Sequence, residues 1–78
     1  MAKRWTDRED RFLIFYGRCL ADSFRSERQG YGHVASHDLG RSRPSGLRRI
    51  KELRKTKPAL VAEIEAEVRK GDKEWEEG

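Results

Sequence analysis

Leu39-Gly40-Arg41-Ser42-Arg43-Pro44-Ser45-Gly46-Leu47-Arg48-Arg49-Ile50 is the stretch that decides the fold, because it reads as a helix stop followed within two residues by a helix start. Gly40 suits the left-handed conformation that closes a helix. Ser42 offers a hydroxyl to the unpaired N–H groups of the next helix, and Pro44 fits a first turn, where its missing N–H has no partner to lose. The helix that follows is strongly basic. Residues 41–57 carry Arg41, Arg43, Arg48, Arg49, Lys51, Arg54, Lys55 and Lys57 against Glu52 alone, +7 over 17 residues.

Working outward, Val34, Ala35 and Leu39 form the inward side of a short second helix running from about Tyr31 or His33 to Leu39. Ahead of it, Arg25-Ser26-Glu27-Arg28-Gln29-Gly30 is polar, aperiodic and glycine-ended, and reads as a loop. A first helix starts after Thr6, which with Glu9 has the spacing of a capping box, while Asp7, Glu9 and Asp10 favour its positive end. Its inward stripe is Phe12, Leu13, Tyr16 and Leu20, with Cys19 and Phe24 beside it and an end near Phe24. In the third helix Leu47, Ile50 and Leu53 or Arg54 turn inward, so Arg43, Arg48, Lys51 and Lys55 project outward. A fourth helix follows Pro58 on the repeat of Leu60, Val61, Ile64 and Val68 and ends at Gly71. The expected architecture is all-α: a three-helix core over 1–57, an added helix over 58–71 and an acidic flexible tail over 72–78. No strand pattern or internal repeat is present.

The 78 residues allow one domain with a modest core, and 41% charged content leaves much of the chain as solvated surface. The net charge of +4 hides a separation: residues 1–57 hold 15 Lys/Arg against 7 Asp/Glu (+8), residues 58–78 hold 3 against 7 (−4). A basic helix within such a basic segment is the electrostatic footprint of a nucleic-acid contact. No apolar run approaches the roughly 20 residues of a membrane span, and the basic N-terminus has no apolar stretch after it, so neither a membrane partner nor a signal peptide is expected. The expected location is nuclear if the source is eukaryotic and cytoplasmic otherwise. Cys19 stands alone, which rules out an internal disulfide. His33 and His37 stand four apart and can share a helix face, but a metal site needs three or four ligands and only Cys19 or Asp38 could join them, so no metal or cofactor is expected. No phosphate loop or Ser/His/Asp constellation suggests an enzyme.

These residues together carry a resemblance. Trp5-Thr6, Glu9-Asp10 and Leu13, then Tyr31 three residues before Val34-Ala35, then Gly40-Arg41-Ser42, with Ile50 at the place of a third aromatic, resemble the Myb/SANT family over Arg4 to about Pro58. Departures are one extra residue between Ala35 and Leu39, a single surviving tryptophan of three in Trp5, and Gly46 within the third helix. The resemblance implies a three-helix helix-turn-helix domain that binds double-stranded DNA through its third helix. The DNA-contacting residues it implies are Lys3, Arg4, Arg41, Arg43, Ser45, Arg48, Lys51, Glu52, Arg54 and Lys55. At the base-contacting positions stand Pro44, Arg48 and Glu52. Arg48 can reach guanine O6 and N7 and Glu52 can accept from cytosine N4, whereas Pro44 has no polar reach. Arg41, Arg43, Lys51, Arg54 and Lys55 would meet phosphates, with Lys3 and Arg4 as a basic arm. Arg49 is expected to pair with Glu9 or Asp10. With one strong reader, binding should be weak and of low specificity alone, as part of a transcription or chromatin factor. The competing expectation is a SANT-type protein-interaction module, with the fourth helix, its Glu63, Glu65 and Glu67, and the acidic tail facing a protein partner.

Overall fold

Thr6 begins the ordered helices by closing a reciprocal cap. Its Oγ1 accepts from the Glu9 N–H at 3.1 Å, and the Glu9 carboxylate accepts from the Thr6 N–H at 3.2 Å. Such a box satisfies donors that the first helical turn leaves unpaired. In the computed structural model, which describes residues 4–71, this cap opens α1 (Asp7–Phe24), followed by α2 (Glu27–His33), a π-helical turn (Val34–Asp38), α3 (Arg43–Thr56) and α4 (Pro58–Arg69). The described fold is all-α. Lys3 and the acidic segment 72–78 with Trp75 lie outside the described residues.

The stretch 25–30 is not a loop. Arg25 turns the chain in a left-handed conformation (φ 56°), and Ser26 caps a new helix by accepting from the Gln29 N–H at 3.2 Å. Gly30 does not end that helix; it lies inside it, against α1. A Cβ on Gly30 would stand 2.3 Å from the Ala21 N and 2.7 Å from the Gly17 O, so only glycine allows this crossing. The second helix therefore begins at Glu27, several residues before the start expected from Tyr31. It widens into the π-helical turn, where Leu39 N–H reaches Val34 O at 3.2 Å. Gly40 (φ 64°) then ends it, and Ser42 caps α3 through the Ser45 N–H.

The inward face of α1 is rotated from the stripe of large side chains. Asp10, Leu13, Ile14, Phe15, Gly17 and Ala21 are buried, while Phe12, Tyr16, Cys19 and Leu20 pack at the margin and Phe24 points outward, 45% exposed. The reason is the α1–α2 crossing. A Cβ on Gly17 would stand 2.1 Å from Tyr31 Cδ1, so the small residue marks where the Tyr31 ring enters. Hydrophobic periodicity weights large side chains and passes over Gly17 and Ala21.

Leu13, Ile14, Phe15, Tyr31, Val34, Ile50, Leu53, Val61 and Ile64 form one cluster, with Trp5, Leu39 and Leu47 partly buried around it. Each large apolar side chain so buried contributes about 1.5–3 kcal/mol. Val61 and Ile64 belong to this cluster, so α4 completes the core. Gly46 sits where α3 meets the second helix, and a Cβ there would meet the Ala35 Cβ at 2.4 Å. Its helix-propensity cost is offset by this close approach.

Candidate functional site

Two ion pairs tie α3 and the turn before it to the start of α1. Arg49 donates from Nε and Nη2 to the two carboxylate oxygens of Asp10, each at 2.7 Å, and Asp10 is 1% exposed. The Asp10 carboxylate raises the Arg49 guanidinium above its ordinary value. Arg41 donates to both Glu9 oxygens at 2.9 and 3.1 Å and to the Arg4 carbonyl at 3.0 Å, and its guanidinium lies 4.1 Å from the centre of a Trp5 ring. The Arg41 hydrogen bonds hold the Glu9 carboxyl down at about 2. Glu9 thus closes the helix cap and anchors the turn between the second helix and α3.

On the opposite flank, Arg54 donates bidentately to Glu27 at 3.1 Å and lies over the Tyr31 ring. Arg18 reaches the same carboxylate at 2.9 Å and also binds Asp22. Arg54, then Arg18, hold Glu27 below the ordinary carboxylate range. Beneath them the Tyr31 hydroxyl is buried and finds no hydrogen-bond partner among the described residues. Burial raises its pKa.

The residues expected to contact DNA therefore separate by position. Arg48, Lys51 and Lys55 are exposed and, among the described residues, make no ion pair. With Glu52 they line a shallow depression of about 200 Å³ on the outward face of α3. Glu52 is held there by Arg49 Nη1 at 3.0 Å. Arg43 is exposed in the first turn, packed beside Gly32 and away from that row. Ser45 is engaged in the cap, its Oγ accepting from Ser42 Oγ at 2.9 Å. Arg4 is exposed at the start of the described chain. Arg41 and Arg54 already hold carboxylates.

Sequence reasoning placed the outward row but did not anticipate that Arg41 and Arg54 serve the scaffold, since their partners lie 32 and 27 residues away. A second surface, around Phe24, Gln29 and His33, carries no clear sequence signal, because Gln29 falls in a polar, aperiodic stretch and Phe24 stands beside the apolar stripe of α1. No group of three or more potential metal ligands occurs among the described residues. No described helix is long and apolar enough to cross a membrane. No family model matches the chain, and neither a curated protein nor a solved structure matches it.

Proposed function

We propose that this protein binds duplex DNA through the outward face of α3, as a divergent helix-turn-helix domain of Myb/SANT type. The observation that carries the reading is the row of Arg48, Lys51 and Lys55: three solvent-facing cations on one helix face, with the nearby Arg49 removed from competition by Asp10. The second helix packs across α3 at Ala35 and Gly46, and the core beneath holds α3 at a fixed angle, which major-groove entry requires. Arg48 reads guanine O6 and N7. Lys51 and Lys55 neutralise phosphates, and Arg4 with Lys3 extends the contact along the backbone. Glu52, oriented by Arg49, faces the same depression and accepts from cytosine N4. Arg41, Arg54 and Ser45 act on the scaffold and not on DNA. One reader among phosphate contacts means modest specificity, so the domain works within a larger transcription or chromatin assembly, nuclear in a eukaryote.

A titration of labelled duplex at several salt concentrations tests this. Three or four phosphate contacts imply that log K falls with log salt at a slope of about −3. Arg48→Ala should flatten preference among sequences, and Lys51→Ala should weaken all duplexes alike. Absence of duplex-induced amide shifts along α3 at low salt would overturn the reading.

A further inference from the structure

A second surface lies off the outward row of α3, where the end of α1 meets α2 and the first turn of α3. Phe24, Gln29, His33 and Arg43 line a depression of about 240 Å³. That is smaller than the ~300–1,000 Å³ of pockets that enclose a whole drug-sized ligand, and suits a single planar ring. Phe24 is the exposed large hydrophobic residue of the described chain. One such residue alone is ordinary. Here, however, its ring stands edge-on to His33 at 6.1 Å, and the His33 ring stacks on His37 at 4.9 Å and 13°, making a continuous run of aromatic rings.

The polar groups around these rings are uncommitted. The Gln29 carboxamide and the Arg43 guanidinium have no partner among the described residues. Arg25 and Arg28, the chain neighbours of Phe24 and Gln29, are exposed and likewise make no ion pair among them. Two nearby carboxylates are occupied by arginines, Asp22 by Arg18 and Glu27 by Arg18 and Arg54, and Asp38 lies 3.3 Å from the His37 Nδ1. An aromatic face, an amide and unneutralised guanidiniums are together what an unpaired nucleotide offers contacts to: a base to stack, a base edge to bond and a phosphate to neutralise.

We propose that the Phe24–Gln29–His33–Arg43 depression binds one unpaired nucleotide of a single-stranded nucleic acid. The base stacks on the Phe24 ring with the His33 ring against its edge, the Gln29 carboxamide bonds that edge, and Arg43 takes its phosphate. The site uses none of Arg48, Lys51 or Lys55, so it stands or falls separately from duplex binding by α3.

The test is fluorescence anisotropy of the full chain with labelled mixed-sequence 12-nucleotide single strands, DNA and RNA in separate arms, and with a blunt duplex. The expected result is single-strand binding that Phe24→Ala weakens about tenfold, the loss of one base–aromatic stack. Phe24→Trp should retain or tighten it, and blunt-duplex affinity should change less than twofold in both variants. Phe24 lies outside the core at a helix end, so both variants fold. A DNA arm stronger than the RNA arm, or the reverse, identifies the source of the nucleotide. The proposal is overturned by no single-strand binding in either arm, or by equal Phe24→Ala losses on single strand and duplex. Loss of duplex binding in the parent protein, with single-strand binding intact, would instead overturn the duplex reading alone.

Discussion

The α1-facing flank of α3 and its outward row hold the same kind of residue in opposite states. Arg49 is clamped by two 2.7 Å hydrogen bonds to a buried carboxylate, whereas Arg48, one residue earlier, faces solvent beside Lys51 and Lys55. One residue on a helix is a rotation of about 100°, enough to carry a side chain from an interface to open surface. Positive charge on this helix therefore has two separate uses. One flank positions the helix, and the row leaves charge available to a partner.

Asp10→Ala strikes the clamped flank and should have the largest effect. It removes two charged hydrogen bonds from Arg49, which keeps Glu52 and some contact with water, at a cost of about 2–3 kcal/mol, read as a fall in the denaturation midpoint. A loss under about 1 kcal/mol would mean that the flank is as loosely engaged as the outward row. Gly46→Ala probes the flank facing the second helix. Propensity favours alanine by about 1 kcal/mol, but the new Cβ would meet Ala35, and overpacking costs about 1–3 kcal/mol. Net destabilisation in urea unfolding is expected; stabilisation would show that the crossing is slack.

Acid should dissolve the Glu9–Arg41 anchor. The Glu9 carboxyl is depressed from 4.5 to about 2 in the folded protein, so its contribution is complete above about pH 4.5 and is lost as pH falls through about 2. Glu9→Gln should flatten that limb of a stability–pH profile by on the order of 1–2 kcal/mol, because the carboxylate keeps some contact with water. Tyr31→Phe removes a buried hydroxyl that has no partner among the described residues and should leave stability equal or raise it by about 1 kcal/mol. Lys51→Ala, on the outward row, should change stability by less than about 0.5 kcal/mol. Its measurable effect is on duplex titration, where the salt slope should shrink by about 1.

The clearest agreement between the chain and its fold lies in signals only a few residues long. Thr6 with Glu9, Gly40 and Ser42 work as caps and stop because their partners lie within a turn of them. The Arg49 partnership was legible as a choice between two adjacent carboxylates; the fold gives Asp10 to Arg49 and Glu9 to Arg41. The start of α2 was not legible, because Ser26 was one polar residue among several and Gly30 looked like punctuation. Packing against Ala21 and Gly17 overrides that appearance. At the site, Arg48, Lys51 and Lys55 were readable from helical period. The Phe24 depression was not, since it joins the ends of two helices to the first turn of a third.

Local residue order is enough to set a helical chain, most of its caps, its basic third helix and the outward direction of Arg48, Lys51 and Lys55. These follow from backbone hydrogen bonding and side-chain period, which act over three or four residues. The packing of the helices sets which face of α1 is buried, why Gly17, Gly30 and Gly46 are glycines, and which arginines hold carboxylates. Those outcomes depend on groups 9 to 39 residues apart in the chain, and their distances exist only once the helices have crossed.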